Sequence, residues 1–224
     1  MDFYQILEMT GETLLMTLIS TFFAYLLGLP TGVFLSITAK NGLRPNKLVN
    51  TVISILVNFI RSVPCLIIIV VCIPWTRAWL GKGTGKWYSI IIPLTVCAFG
   101  FVARMVEQSL AEVPAGEIEA VKSLGATDWQ IVYKVLIPEA RSSLISGVAV
   151  VLVSIIGYTS FAYNIAAGGL IAGIYSHYNR NTGSYMSSPY FWVMIAAVVL
   201  IVQVLQEAGL KIAKKLDKRK KSQE

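Results

Sequence analysis

From Thr13 to Ala39 the chain carries no charged side chain. The same absence recurs from Trp87 to Ala103, from Ser142 to Asn179 and from Asn181 to Gln206, and Leu48 to Thr76 is interrupted by Arg61 alone. A run of roughly 18 or more apolar residues suffices to cross a hydrocarbon core about 30 Å thick as an α-helix. The competing arrangement, one large water-soluble core, needs charged residues to coat it. Only 14% of this chain is charged, against about 25% in soluble domains. The pattern predicts an all-α integral membrane protein with five transmembrane helices, near residues 13–38, 48–74, 87–110, 142–163 and 189–209. The fourth uncharged run is too long for one helix, and its second half, rich in Gly, Asn and Tyr, reads as a loop.

Residues 1–12 are not expected to form a cleavable signal peptide. Asp2, Glu8 and Glu12 stand where a basic region belongs, and the apolar run that follows is too long. They read as a short, partly helical lead-in on the membrane surface. Cys65, Cys72 and Cys97 all lie in apolar runs and read as small buried side chains. Their spacing gives neither a zinc site nor a disulfide framework. His177 is the sole histidine, set among Tyr175, Tyr178 and Asn179, and reads as an interfacial polar residue; no metal site is expected.

Charge distribution sets an orientation. Five spans put the termini on opposite sides. One set of segments holds Lys40, Arg44, Lys47, Arg104, Lys122, Lys134, Arg141, Lys211, Lys214, Lys215, Lys218, Arg219, Lys220 and Lys221; the other holds Arg77, Lys82, Lys86 and Arg180. The excess of basic residues marks the cytoplasmic side, which gives an N-out, C-in topology. The basic tail, 211–224, then lies against anionic headgroups and no nucleic-acid partner is needed to explain it. The expected organisation is a single transmembrane domain over 1–224, with a membrane core at 13–210 and a cytoplasmic loop at 111–140.

That loop is a polar island. Gly116 to Lys122 reads as a helix that Gly125 ends, Thr127 or Asp128 can cap a second helix from Trp129, and Pro138 marks the turn toward the next span. The elbow offers the small residues Ala120, Gly125 and Ala126 to another protein, or it tucks under the helices as an ordinary loop. Its order, Glu119-Ala120, then Gly125, then Ile137-Pro138, resembles the Glu-Ala-Ala loop of bacterial ABC-importer permeases, with Val121 where a second Ala is usual. In that family the loop docks into a groove on a cytoplasmic ATPase. The resemblance therefore implies ATPase coupling through Glu119, Ala120, Gly125, Ala126 and Pro138.

Leu80 to Trp87 has the glycines and lysines of a phosphate loop but not its order. Leu80 stands where Gly is required, Trp87 where Ser or Thr is required, and the segment is expected outside the cell. It reads as a hairpin between spans, so ATP and magnesium belong to a different chain and this one carries no cofactor.

Arg61-Ser62-Val63-Pro64 interrupts the second span. A charge at membrane depth is costly unless it faces a wet path or a partner, and Pro64 bends the helix. Arg61 suits an anionic group such as a substrate carboxylate, or else an ion pair with Glu107. Arg104 and Glu107 share a helix face and can pair with each other or line an inner vestibule. Beyond the fourth span, Tyr158, Phe161 and Asn164 lie in a Gly-rich segment too polar for lipid. Phe161 can close a pathway against its copy in a second subunit, or pack between helices.

Taken together the chain resembles the permeases of bacterial methionine-type ABC importers along nearly its whole length. The resemblance rests on Glu12-Thr13-Leu14, Gly28-Leu29-Pro30 with Gly32-Val33, Arg61-Ser62 with Pro64, Ala103-Arg104-Met105-Val106-Glu107, Gly125-Ala126-Thr127, Ile137-Pro138-Glu139-Ala140 and Ala167-Gly168-Gly169-Leu170. It departs at Ser160 to Asn164 and at His177 to Arg180. It implies a type I ABC-importer permease fold in the bacterial cytoplasmic membrane. It also implies a homodimer, two copies of a cytoplasmic ATPase and an extracytoplasmic binding protein, carrying methionine or another amino acid or small substrate. No catalytic set of side chains is present, which disfavours an intramembrane enzyme. The absence of two related halves disfavours a stand-alone secondary carrier.

Overall fold

The structure, a computed structural model, describes residues 3–216. Asp2 and the tail residues Lys218, Arg219, Lys220 and Lys221 lie outside the described residues. Among those described, every regular element is helical. Helix α1 is Phe3–Thr38. The lead-in expected on the membrane surface is not a separate element, because nothing near Glu12 breaks the ladder. Thr10, Thr13, Thr17, Thr21, Thr31 and Thr38 each donate a hydroxyl hydrogen bond to the carbonyl four residues back, at 2.7–2.9 Å. Their polarity is thus absorbed inside the helix. At 36 residues the helix is about 54 Å long, well beyond a bilayer core.

The second expected span is two helices, α2 (Lys47–Ser62) and α3 (Cys65–Leu80). A bend was expected at Pro64, and the structure shows a break. Proline has no N–H for the ladder and drives the residue before it out of helical geometry. Pro64 itself serves as the N-cap of α3 with ψ 135°. A short 3-10 turn, Trp87–Ile90, leads into α4 (Ile91–Ala111). After the 111–140 loop, which holds α5 (Ala115–Ser123), α6 (Asp128–Ile131) and α7 (Ile137–Glu139), come α8 (Arg141–Tyr158) and a 3-10 segment, Thr159–Ile165. The chain then forms α9 (Leu170–Arg180) and α10 (Pro189–Leu216). Helix α9 replaces the loop expected after the fourth span: it is amphipathic and buries Leu170, Ala172 and Gly173. Among the described residues, four stretches can cross a membrane by length and composition, and α2 with α3 makes a fifth if the broken pair counts as one span.

The residues sort into two compact units, each discontinuous in sequence. One gathers, among the described residues, 3–24, 63–98 and 151–207. Its core packs Ile6, Ile156, Leu170, Met194 and Ile201. Here α1 caps α9: the Glu12 carboxylate accepts from Gly169 N–H at 2.8 Å and the Thr13 hydroxyl from Leu170 N–H at 2.9 Å. Two of the amides that a helix start leaves without intrahelical partners are satisfied, and the anion sits at the positive end of the helix dipole.

The other unit gathers residues 25–62, 99–150 and, among the described residues, 208–216. In it α1 meets α4 through two glycines one turn apart. A Cβ on Gly28 would stand 2.7 Å from a Val102 methyl, and one on Gly32 2.5 Å from the Ala103 carbonyl oxygen. Small residues four apart let membrane helices approach this closely. Leu35, Val57 and Ala103 are fully buried beside this contact. The Arg141 Nε and the Ser142 hydroxyl donate to the carbonyls of Leu216 and Ala213 at 2.9 and 3.1 Å, tying the start of α8 to the end of α10.

Gly32→Ala is therefore expected to lower the melting temperature of the detergent-solubilised protein, since overpacking of this kind costs about 1–3 kcal/mol. Gly11→Ala, where an added Cβ meets nothing within 4 Å, is the control and is expected to melt like the parent. Equal melting of the two variants would refute the close α1–α4 approach.

Candidate functional site

The 111–140 loop is built as two helices joined by a fixed elbow. Helix α5 buries none of its residues, and Glu119 and Ala120 are exposed on it. It ends in a Schellman arrangement: Gly125 N–H bonds the Lys122 carbonyl at 3.0 Å and Ala126 N–H the Val121 carbonyl at 3.4 Å. Gly125 holds φ 83°, a conformation that strains any residue with a Cβ. Thr127 then caps α6 in a reciprocal box. Gln130 N–H donates to the Thr127 hydroxyl at 3.4 Å and Thr127 N–H to the Gln130 side-chain oxygen at 2.8 Å. Asp128 pairs with Arg44, from the turn between α1 and α2.

The root of the elbow is apolar. Ile131, Val132 and Leu136 are buried. Residues 132–136 are π-helical, so that Ile137 N–H reaches the Val132 carbonyl. The turn expected at Pro138 is instead carried by Ala140, since Pro138 lies half-buried inside α7. A cleft of about 490 Å³ beside the elbow is lined by Gly42, Glu107, Leu110, Ile118, Glu119 and Leu136.

Sequence reasoning offered the small residues of this elbow and passed over its large ones. Leu124 is 87%, Trp129 65% and Tyr133 75% exposed. Trp129 and Tyr133 are one turn apart, and Leu124 is the residue before Gly125. The signal was available: three bulky apolar side chains in a polar segment, where they have no lipid-spanning run to belong to.

The path candidates divide between the two units. Arg61, Ser62, Arg104 and Glu107 belong to one; Pro64, Tyr158, Phe161 and Asn164 belong to the other. In the first, Arg104 Nη1 meets Glu107 Oε2 at 2.6 Å, while its Nη2 and Nε reach Asn58 Oδ1 at 3.0 and 3.2 Å. Glu107 is therefore the partner of Arg104 and not of Arg61. Arg61 is exposed, its stem lies on α4 where Gly100 leaves room, and it forms no salt bridge among the described residues. The Ser62 hydroxyl donates to the Asn58 carbonyl at 2.8 Å.

In the second unit Tyr158 packs against the cluster of Ile68, Cys72 and Cys97. Phe161 and Asn164 lie on the 3-10 segment, with Asn164 Nδ2 3.5 Å from the Phe161 carbonyl oxygen. The segment is anchored at its end, where Gly85 N–H donates to the Ile165 carbonyl at 2.9 Å. Residues 80–87, which carry the glycines and lysines of a phosphate loop, follow helix α3 and not a strand. They lack the framework that aims such a loop at phosphate. His177 is half-buried with its ring stacked on Phe191.

Arg104 and Glu107 are both mostly shielded, with side chains 19% and 22% exposed. Arg104→Met is expected to destabilise the protein by stranding Glu107, and adding Glu107→Gln to recover part of the loss. A double-mutant cycle by thermal melting should give a coupling of about 0.5–3 kcal/mol. A coupling of zero would mean that the pair contributes nothing to the fold.

The sequence profile described as "Binding-protein-dependent transport system inner membrane component" matches residues 28–214. The chain is 37% identical over 210 residues to a protein of Pasteurella multocida (strain Pm70) named "Probable D-methionine transport system permease protein MetI", covering 94% of each. It is 44% identical over 149 residues to the "D-methionine transport system permease protein MetI" of Escherichia coli (strain K12), covering 66% of this chain and 68% of that one. A chain of the inward-facing MetNI methionine ABC transporter superposes with a TM-score of 0.89 at 35% identity, covering 96% of this chain and 99% of that one. A profile match over most of its length and an end-to-end relative more than a third identical place this chain in the family of binding-protein-dependent transport system inner membrane components, multi-pass proteins of the bacterial inner membrane.

Proposed function

We propose that the chain is the translocation subunit of an ATP-driven importer of methionine or a closely related amino acid. It works as a homodimer with two copies of a cytoplasmic ATPase and receives its substrate from an extracytoplasmic binding protein. The observation that carries this reading is the elbow α5–Gly125–α6. It presents Leu124, Trp129 and Tyr133 on a backbone fixed at both turns, a shape suited to seating in a groove of another protein. The methionine transporters that the chain resembles supply the substrate class.

In this reading the N-terminus is outside and the C-terminus inside, as the basic residues direct. ATP and magnesium are held by the partner ATPase. Closure of the ATPase dimer moves α5, and the motion passes along the helical run from α6 through α7 into α8. It passes also through Asp128 to Arg44 and the turn between α1 and α2. The permease itself makes and breaks no covalent bond. Arg61, with no carboxylate partner among the described residues, is the residue to receive the carboxylate of a passing amino acid. Arginine is suited to this because its planar fork binds a carboxylate at two points. Ser62 and Pro64 shape the break beside it, and Tyr158, Phe161 and Asn164 form the outer constriction. A stand-alone secondary carrier is the alternative, and it would need no ATP.

Uptake of labelled methionine into vesicles carrying permease, ATPase and binding protein tests both halves of this reading. Ala120→Trp is expected to leave the permease folded but to cut ATP-driven uptake at least about tenfold by blocking the seat, a loss of roughly 1.4 kcal/mol in coupling. Arg61→Met is expected to abolish uptake while the complex still assembles, and Arg61→Lys to retain part of it. Full uptake by Ala120→Trp would remove the coupling role, and full uptake by Arg61→Met the substrate role. Uptake without ATP would point to the secondary carrier.

The orientation has its own test. Single cysteines at Lys82 and at Lys122, in a background lacking Cys65, Cys72 and Cys97, are expected to differ. A reagent that does not cross membranes should label position 82 in intact cells and reach position 122 only after lysis. The opposite pattern would invert the topology.

A further inference from the structure

The apolar cluster under Tyr158 contains chemistry that the transport reading leaves unused. Cys65 Sγ lies 2.7 Å from Cys97 Sγ, closer than unbonded sulfurs ordinarily rest and within easy reach of the 2.03–2.05 Å bond of a disulfide. Cys97 Sγ also lies 3.9 Å from the Cys65 carbonyl oxygen. The two thiols are free, as is Cys72 in the same cluster. They come from different helices, Cys65 opening α3 directly after the Pro64 break and Cys97 lying within α4. Val63, Ile68 and Val96 pack around them. Cys65 is half-buried and Cys97 buried, so an incoming reagent meets Cys65 first and finds Cys97 waiting behind it.

We propose that Cys65 and Cys97 form an oxidation site that accepts a low-molecular-weight disulfide and closes into an intramolecular bridge, fixing the first turn of α3 to α4 and slowing transport. The chemistry is a pair of exchanges. The Cys65 thiol attacks the reagent disulfide, forming a mixed disulfide and releasing one reagent half as a thiol, which keeps the proton. The Cys97 thiol then displaces the second half, forming the Cys65–Cys97 bond. Two cysteine thiols lose two electrons and two protons, and one reagent disulfide becomes two thiols. A dithiol reductant reverses the sequence. The slowing of transport rests on the function proposed above, whereas formation of the bridge does not.

The test uses the permease–ATPase complex with Cys72→Ala as the parent, so that only the two partners can react. The complex is treated with dithiodipyridine, quenched in acid and weighed intact. The expected result is a permease lighter by two hydrogens, two thiopyridones released per chain, and a peptide joining Cys65 to Cys97. Cys97→Ala in the same background is expected to stop at the mixed disulfide on Cys65. Separate adducts on Cys65 and Cys97, or unreacted thiols, would overturn the proposal. In vesicles with the binding protein, closing the bridge is expected to slow ATP-driven uptake roughly tenfold, as for a gating element that no longer moves. Reductant should restore it, and Cys97→Ala should be unaffected. Unchanged uptake with the bridge closed would overturn the restraint. An absence of ATP-driven uptake before any oxidation would count against the transport reading and leave the mass result standing.

Discussion

A lipid interior offers no water to hydrogen-bond a peptide group, and this fold is organised around that lack. Several places where the helical ladder stops have a substitute donor or acceptor. Glu12 and Thr13 take the first amides of α9. The Ile165 carbonyl receives Gly85 N–H, and two carbonyls in the last described turn of α10 receive Arg141 and Ser142. These contacts join segments far apart in the chain, so satisfying the backbone also draws the helices together. The threonines of α1 serve the same end locally, turning their hydroxyls back onto their own helix.

The same constraint explains what the sequence could and could not reveal. The spans were legible because uncharged runs have one main use at such length. The elbow was legible to the residue at Gly125 and to within one residue at its cap, Thr127 or Asp128, because left-handed backbone and N-capping each select a narrow set of side chains. Helix α9 was not: its glycines and asparagine suggested a loop, and what makes it a helix is burial of Leu170 together with two capping side chains more than a hundred residues earlier. The motif Glu12-Thr13 was visible, and its purpose was not. Arg61 and Glu107 illustrate the same limit. Opposite charges in apolar surroundings invite pairing, but Arg104 stands one turn from Glu107 on α4 and takes it. Leu124, Trp129 and Tyr133 were not legible as a surface, because bulky apolar side chains ordinarily face lipid or a core and only the fold shows these three exposed.

The inner network gives the proposed docking surface a firm base. Asp128 holds the elbow to the turn after α1, while Gly28 and Gly32 seat α1 closely against α4, which in turn carries the Arg104–Glu107 pair and its hydrogen bonds to Asn58. Close packing transmits displacement because interiors of this density compress little. A push on α5 therefore has a short mechanical route to α2, the helix that carries Arg61 in its last turn.

Helix α5 is nine residues long and buries none of them, which is below the length at which an isolated helix holds together in water. It persists because its two ends are clamped, by the proline before it and by the turn locked at Gly125 and Thr127. The conformational entropy lost in ordering it is thus settled when the permease folds and not when a partner arrives. Loosening either clamp would leave the same residues on the surface yet turn recognition of a formed shape into folding upon contact, a slower and weaker event for the docking role proposed above.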